Sequence, residues 1–266
     1  MTSPILLTGG TGTLGRLVVP LLRDAGREVR VLSRSRHDST GTEFVTGDLA
    51  TGEGIEAAVD GVETIVHCAG SAKGDEDKTR TLVQAASRAC VRHLVYISVV
   101  GAERVPVVSG IDRAMFGYFA SKRAAERVVE DSGLPWTTLR ATQFHDLALM
   151  TATQMAKLPL IPVPAGVRFQ PVDAREVAAR LVELALGTPS GLVPDIAGPR
   201  IFGMDELLRG YLQASHRHRL LVPVRLPGKA ARAMRAGANL APERTVGHRT
   251  WEDFLAERLG AGAVAS

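Results

Sequence analysis

Short apolar runs alternate with longer stretches of helical periodicity along the first half of the chain. The runs are rich in β-branched residues, which is typical of buried strands. They predict strands at residues 4–8, 28–33, 62–68, 93–99 and 136–141, with a shorter strand at Phe44 and Val45.

Helical stretches separate these predicted strands. The first helix, residues 13–25, contains Pro20, which predicts a kink, and stops at Gly26, a residue suited to a helix C-cap. Its apolar stripe consists of Leu14, Leu17, Val18, Leu21 and Leu22. Two further helices are predicted at residues 78–90 and 114–131. This alternation of strands and helices predicts βαβ units, and right-handed crossovers then give an α/β fold with a doubly wound parallel sheet.

The regular alternation weakens after about residue 143. Residues 158–172 are rich in proline and are predicted to be loop, whereas Asp173 opens a predicted helix over 173–187. Short helices and loops follow, ending in an amphipathic helix around Trp251. We therefore predict one domain over residues 1–266 with a small C-terminal substrate-binding portion, whose pocket segments lie around 143–172 and 200–250.

Composition excludes several classes of protein. The chain has 266 residues, of which 45% are hydrophobic and 23% charged, close to the globular average and unlike disordered or collagen-like chains. The two cysteines, Cys68 and Cys90, form neither a disulfide framework nor a zinc motif. No signal peptide is recognisable, and no apolar stretch approaches the ~20 residues that span a bilayer. We expect a cytoplasmic monomer or homodimer with no membrane partner and no metal.

Positive charge is concentrated in residues 200–249, where ten lysines and arginines face three acidic residues. Such a segment could bind nucleic acid or anionic substrates. Aromatic residues barely interleave with it, and no helix-turn-helix or zinc pattern accompanies it. We interpret it as a solvated helical face, and we expect a small-molecule substrate and no nucleic acid.

A glycine-rich turn lies between the first predicted strand and the first predicted helix. Residues 8–15 read TGGTGTLG and fit both a GxGxxG and a GxxGxxG spacing. Glycines let the backbone approach a pyrophosphate, and the free N–H groups of the following helix attract the anion. In this strand–turn–helix context the motif predicts dinucleotide binding by residues Gly9, Gly10, Thr11, Gly12, Thr13, Leu14 and Gly15.

The end of the second predicted strand indicates which dinucleotide binds. An NAD site usually has an acidic residue there, which binds the ribose hydroxyls. This chain instead has Ser33-Arg34-Ser35-Arg36, and an arginine suits a ribose 2′-phosphate. The sequence therefore favours NADP(H) over NAD(H).

Tyr118 and Lys122 are four residues apart on a predicted helix and share one of its faces. An ammonium group beside a phenol lowers the phenol's pKa, which makes the tyrosine a usable acid or base for a carbonyl/alcohol pair. Ser98 ends a predicted strand, at the sheet edge where open α/β sheets bind ligands. We predict Ser98, Tyr118 and Lys122 as catalytic residues.

These motifs together resemble the short-chain dehydrogenase/reductase superfamily, in its atypical NmrA-like branch of NAD(P)H-binding Rossmann proteins. The resemblance covers nearly the whole chain, strongly up to about residue 198. It is carried by TGGTGTLGR, GDL at 47–49, HCAG at 67–70, YISVVG at 96–101, YFASK at 118–122, LRATQFHD at 139–146 and PVDAREVA at 171–178.

The resemblance implies a role for each candidate residue. The turn glycines would hold the pyrophosphate, and the strand-end Ser33-Arg34 would hold the adenosine phosphate. Tyr118 would donate a proton, Lys122 would bind the nicotinamide ribose, and Ser98 would orient the substrate carbonyl. The remaining implied contacts are Asp48 and Leu49 with adenine, Ala69 and Gly70 beneath the ribose, and Gln143 and Phe144 near the carboxamide.

The chain also departs from the family pattern. Its only asparagine is Asn239, so the asparagine of the family's proton relay is missing, and Thr142-Gln143 replaces a Pro-Gly pair. The favoured function is an NADPH-dependent oxidoreductase that transfers a hydride to a small ketone, quinone or similar acceptor. A catalytically silent NADP(H) sensor and a nucleotide-sugar epimerase or dehydratase are the alternatives.

Overall fold

The computed structural model describes residues 3–36, 41–70 and 74–260, so the predicted domain limits at residues 1 and 266 lie outside the described residues. The chain divides into two compact units. The first comprises Met1–Ser98, Gly117–Arg140 and Arg175–Pro194, and the second comprises Val99–Phe116, Ala141–Ala174 and Asp195–Ser266. Each unit is described below by itself.

Seven strands among the described residues form one sheet in the order β3-β2-β1-β4-β5-β6-β9. The strands are β1 (Ile5–Thr8), β2 (Val29–Ser33), β3 (Glu43–Thr46), β4 (Thr64–His67), β5 (His93–Val99), β6 (Trp136–Ala141) and β9 (Gly191–Leu192). β1 pairs in parallel with both β2 and β4, so the strand order reverses at β1. Ligands of doubly wound sheets bind at the carboxyl ends of the strands beside such a reversal. The predicted doubly wound sheet is confirmed.

Helices of the first unit cover the sheet as the sequence pattern predicts. They are α1 (Gly15–Asp24), α2 (Ile55–Val59), α3 (Asp75–Arg88), α4 (Gly110–Glu130, which continues from the second unit) and α6 (Ala174–Leu186). Every residue of β1 and β5 is buried, as expected for central parallel strands covered on both faces. Pro20 lies inside α1, and the kink that it predicts stays a prediction.

The second unit contains the remaining elements. They are α5 (His145–Met155), β7 (Leu160–Pro164), β8 (Arg168–Phe169), β10 (Phe202–Gly203), α7 (Met204–Ala214), β11 (Leu220–Val224), α8 (Lys229–Arg235) and α9 (Trp251–Gly260). Its core packs Trp251 and Phe254 of α9 against α7 and β7. No helix within the described ranges is long and apolar enough to cross a membrane.

The prediction that residues 158–172 form a loop is wrong. Residues 160–164 form β7, which pairs in parallel with β11, and residues 168–169 form β8. β7 has one strand partner in the described part of the chain, so the prolines of this segment can lie at its open edge. The partner strand lies some 60 residues further along the chain, which no local pattern reveals.

Candidate functional site

The glycine turn is shaped by close contacts of its own backbone. Gly9 has a positive φ of 72°, and a Cβ atom there would lie 2.6 Å from the backbone nitrogen of Ala69, which follows β4. A Cβ atom on Gly15 would collide with the carbonyl oxygen of Gly9. Gly12 is exposed, and its N–H donates to the Gly9 carbonyl at 3.0 Å. The turn itself therefore requires glycine at positions 9 and 15. Gly12 lies exposed on the surface of the turn.

α1 begins immediately after this turn without a capping side chain. Leu14 occupies the N-cap position, no side chain bonds to the first N–H groups, and the first turn of the helix holds no acidic residue. The first N–H groups of a helix have no partner inside the helix and carry the positive end of its dipole. The turn and the helix end are therefore suited to an anionic ligand such as a pyrophosphate.

A cavity of 620 Å³ opens beside this turn within the first unit. Its lining includes most of the residues that the sequence predicts to hold a dinucleotide. They are Gly9, Thr11, Gly12, Ser33, Arg34, Asp48, Leu49, Ala69 and Gly70. These residues come from the carboxyl ends of β1, β2, β3 and β4, which the sheet order brings to one edge. Gly10, Thr13, Leu14 and Gly15 complete the turn without lining the cavity.

Arg34 lies where β2 leaves the sheet, next to the buried Ser33, and its side chain is exposed at the cavity. No hydrogen bond or ion pair engages its guanidinium group within residues 3–36, 41–70 and 74–260. Across the cavity lining, Asp48 accepts a bond from the N–H of Ala50 at 2.9 Å and so closes its own turn. Leu49 is buried. Arg34 is thus available to a ligand phosphate, whereas the Asp48 carboxylate already has a local role.

A chain of hydrogen bonds ties the end of β1 to the end of β4. The N–H of Ala69 donates to the hydroxyl of Thr8 at 3.2 Å, and that hydroxyl lies 2.6 Å from Nδ1 of His67. The other ring nitrogen of His67 lies 3.2 Å from the hydroxyl of Thr79. Burial, with the nearby charge of Lys122, lowers the pKa of His67 to about 3. A neutral histidine therefore braces the backbone that forms the cavity floor.

Lys122 is buried and has three acceptors around its ammonium group. Nζ lies 3.2 Å from Oδ2 of Asp75, 3.3 Å from the hydroxyl of Tyr96 and 3.3 Å from the carbonyl oxygen of Ile97. A Cβ atom on Gly70, which lines the cavity, would lie 3.1 Å from the same Nζ. Two of the three contacts, to Tyr96 and Ile97, are hydrogen bonds, and the contact with Asp75 is an ion pair. An ammonium has three donors, so one remains for a ligand such as a ribose hydroxyl.

Tyr118 lies one turn before Lys122 on α4 and keeps 40% of its side chain exposed. Nζ of Lys122 lies 5.9 Å from the centroid of its ring. Packing around the remainder of the ring and the negative charge of Asp75 raise the pKa of Tyr118 to about 12. The expectation that Lys122 lowers this pKa is therefore wrong, because Asp75 compensates the charge of the lysine.

Ser98 is buried on β5, and no hydrogen bond to its hydroxyl is found in the described part of the chain. Its role in orienting a substrate carbonyl stays a prediction.

Glu126 of α4 lies in a buried ion pair. Arg140 binds both carboxylate oxygens of Glu126, at 2.7 and 2.8 Å. Burial raises the pKa of the Glu126 carboxyl, but hydrogen bonds from Arg140 and Arg123 outweigh burial and leave it lowered.

Gln143 and Phe144 belong to the second unit. Phe144 forms an isolated β-bridge with Val172. The carbonyl of Gln143 accepts a hydrogen bond from the N–H of Val172 at 2.9 Å. Both side-chain amide atoms of Gln143 are buried, and no hydrogen bond to them is found in the described part of the chain. An amide with an unused donor and an unused acceptor is suited to a carboxamide.

Sequence reasoning missed Asp75 and Tyr96, although both contact Lys122. Tyr96 shares a face of β5 with Ser98, because alternate residues of a strand point the same way, so the pattern contained a signal for it. Asp75 is the first residue of α3 and follows Gly74, whose φ is 75°. Nothing in its local sequence indicates that its carboxylate meets Lys122, 47 positions later.

Comparison with known proteins shows the family of this chain. The chain matches the family model described as NAD(P)H-binding over residues 9–184, which is more than half of its length. It is 32% identical over 208 residues to the (4-alkanoyl-5-oxo-2,5-dihydrofuran-3-yl)methyl phosphate reductase of Streptomyces griseus, covering 76% of this chain and 70% of that protein. It is 27% identical over 221 residues to the NAD(P)H azoreductase of Xenophilus azovorans, covering 80% of this chain and 74% of that protein.

Among solved structures, the fold is similar to that of the NADPH-dependent quinone oxidoreductase of Escherichia coli in complex with NADPH. The TM-score is 0.80 with 18% sequence identity, and the match covers 96% of this chain and 99% of that chain. At this identity the likeness concerns the fold alone. It confirms the predicted Rossmann arrangement.

Proposed function

This chain belongs to the NAD(P)H-binding family, whose members here include reductases, and we propose that it is an NADPH-dependent reductase of the short-chain type. The proposed acceptor is a small ketone, a quinone or a similar compound. The observation that carries the proposal is one cavity that joins the uncapped glycine turn, the exposed Arg34 and Gly70, which lies against Lys122. The segments around 143–172 and 200–250 remain the predicted source of acceptor contacts.

The residues present fit a nicotinamide dinucleotide that carries a 2′-phosphate. The backbone at Gly12 and the start of α1 would hold the pyrophosphate, and Arg34 would bind the phosphate through charge-assisted hydrogen bonds. Leu49 would contact the adenine. When bound, the reduced cofactor supplies a hydride.

Tyr118 supplies the proton that completes reduction of a carbonyl. Its hydroxyl donates to the acceptor oxygen while hydride reaches the carbonyl carbon, so the ketone becomes an alcohol and the phenol becomes a phenolate. Solvent then returns the proton, since part of the Tyr118 side chain is exposed. The Tyr118 phenol is protonated at neutral pH, which is the form that a reduction consumes.

Cofactor choice is tested by calorimetry with NADPH and NADH. We expect NADPH to bind at least tenfold more tightly, a difference of about 1.4 kcal/mol. Arg34→Asp is expected to narrow or invert this gap, because it replaces the phosphate-binding cation with an acidic side chain that suits ribose hydroxyls. Arg127→Asp is a matched control, since Arg127 is an exposed arginine of α4 that does not line the cavity. Equal affinities in the wild-type protein would contradict the proposal.

Turnover is tested by following NADPH absorbance with a panel of quinones and activated ketones. Oxidation of NADPH that depends on acceptor and enzyme supports the reductase. Tight NADPH binding without turnover on any acceptor would instead identify an NADP(H) sensor. Interconversion of nucleotide sugars without net cofactor oxidation would identify an epimerase.

A further inference from the structure

We propose that Asp75 is the positioning residue of this site: it fixes the Lys122 ammonium next to Gly70 and balances its positive charge beside Tyr118. The proposal rests on the proposed function for its catalytic consequence, although its structural basis lies within the first unit alone. It assigns a role to the residue that faces Lys122 in a chain whose single asparagine is Asn239.

The ion pair of Asp75 and Lys122 is enclosed by protein. The two side chains are 2% and 5% exposed, and their charged atoms are 3.2 Å apart. Opposite charges that are shielded from water interact strongly, so neither charge acts independently on its neighbours. Asp75 also occupies the first position of a 14-residue helix, where the helix dipole stabilises a carboxylate. The two side chains therefore form one enclosed ion pair.

The remaining contacts of Lys122 fix its direction. Tyr96 and Ile97, adjacent on β5, offer a hydroxyl and a carbonyl oxygen at 3.3 Å, and Nζ lies 5.0 Å from the centre of the Tyr96 ring. Together with Asp75 these acceptors lie on α3 and β5, whereas Lys122 itself lies on α4. Two elements, α3 and β5, thus hold the ammonium group. Loss of Asp75 would remove the negative charge that pairs with it.

Burial and the surrounding charges together set the pKa of the Tyr118 phenol. Burial of the ring raises this pKa most, and the negative charge of Asp75 on α3 raises it further. Lys122, on the same helix, contributes a positive charge that the Asp75 ion pair compensates. From the sheet, Tyr96 on β5 and His67 on β4 are both neutral, because burial raises the pKa of the tyrosine and lowers that of the histidine. Cys68, after β4, stays a thiol because burial raises its pKa to about 12.

Neutralising Asp75 should lower the pKa of Tyr118. Asp75→Asn removes the negative charge and leaves the Lys122 charge uncompensated, and both changes favour the phenolate. An uncompensated opposite charge within a few ångströms lowers a pKa by about 1–3 units. We expect Tyr118 of Asp75→Asn to titrate at least about one unit lower than in the wild-type protein.

The first measurement is an ultraviolet titration of tyrosinate in the full chain without cofactor. The chain has only three tyrosines, so the difference between each protein and its Tyr118→Phe counterpart isolates Tyr118. The wild-type residue is expected to titrate above the ordinary value of about 10. Asp77→Asn is the matched control, because Asp77 is an exposed acidic residue in the same first turn of α3. It is expected to leave the Tyr118 titration unchanged.

The second measurement is the pH profile of kcat/KM for oxidation of the corresponding alcohol with NADP+. Oxidation needs the phenolate as a base, so the profile rises with pH and levels off at the pKa of Tyr118. Its breakpoint should move down in Asp75→Asn by the same shift as the titration. Adding Lys122→Met to Asp75→Asn should raise the Tyr118 titration again, because the uncompensated charge is then removed.

The outcomes separate this inference from the proposed function. A wild-type Tyr118 that titrates below 10, or an Asp75→Asn variant that titrates like Asp77→Asn, overturns the role of Asp75. If Asp75→Asn does not fold by itself, Lys122→Met is compared with the double variant Asp75→Asn/Lys122→Met: loss of the Asp75 charge should lower the Tyr118 titration, and equal titrations overturn the role of Asp75. A shifted titration without any turnover would uphold Asp75 and reject the reductase, whereas turnover with an unshifted titration would do the opposite.

Discussion

Two buried ion pairs lie one helical turn apart on α4, and they differ in number of bonds and in surroundings. Lys122 meets Asp75 through one contact of 3.2 Å, next to the cavity-lining Gly70 and the partly exposed Tyr118. Glu126 binds Arg140 through two bonds of 2.7 and 2.8 Å, and it also accepts one from Arg123 at 2.9 Å.

The difference shows how one helix can serve both stability and chemistry. A two-bond arginine–carboxylate pair fixes the distance between α4 and β6, because its planar geometry tolerates little movement. The pair of Lys122 and Asp75 has a single contact and sets the charge beside Tyr118. Gly70, which lies next to the Lys122 ammonium, lines the cavity. We therefore expect changes at Glu126 to lower stability, and changes around Lys122 to alter catalysis.

The largest expected effect on stability is that of Glu126→Gln. Arg140 would then keep a charge in a buried position without its carboxylate, and the free energy of unfolding should fall by about 3–5 kcal/mol in urea titration. Glu76→Gln is the control, because Glu76 pairs with Arg80 on the surface, where such pairs contribute less than about 1 kcal/mol. Similar losses in both variants would contradict the assigned role of the buried pair.

The same pair predicts how stability depends on pH. The pKa of Glu126 lies below its ordinary value of 4.5, despite burial, because of the bonds from Arg140 and Arg123. A carboxyl group with a lowered folded pKa stabilises the fold above its unfolded pKa. That contribution should disappear as the pH falls below about 4.5, and urea titrations over this range should lack it in Glu126→Gln. Equal pH dependence in the two proteins would argue against the assignment.

The largest expected effect on catalysis is that of Tyr118→Phe. Loss of the general acid should lower kcat on a ketone by about 10²–10⁴-fold, with little change in NADPH affinity or in stability. Tyr211→Phe in the second unit is the matched control. An easily reduced quinone can take its proton from water, so the effect should be small there. Wild-type kcat on a ketone would show that Tyr118 is not the donor.

A smaller effect is expected for Ser98→Ala. The buried Ser98 hydroxyl has no hydrogen bond within the described residues, so its removal should not lower the free energy of unfolding. We expect kcat on a ketone to fall less than in Tyr118→Phe. Lower stability with unchanged kcat would place Ser98 with the structural pair, and unchanged stability with lower kcat would support its role in orienting the substrate.

The sequence predicted the parts of the fold that depend on local pattern. β1, β2, β4, β5 and β6 all lie within the predicted strands, because buried parallel strands leave continuous β-branched runs. α4 begins four residues before its predicted start, since helix ends depend on flanking contacts. β7 was missed because its two prolines indicate a loop until the distant β11 is known to pair with it.

Local sequence patterns also predicted most of the residues that line the cavity of the first unit. The glycine turn, Arg34 and the Ala69–Gly70 turn each follow a strand, and parallel strands bring their carboxyl ends to one edge, so the sequence alone placed them together. It could not give the charge state of the site. That state depends on Asp75, which reaches Lys122 only because α3 and α4 pack against the same sheet, and electrostatic interactions depend on distance in space and on burial, not on separation along the chain.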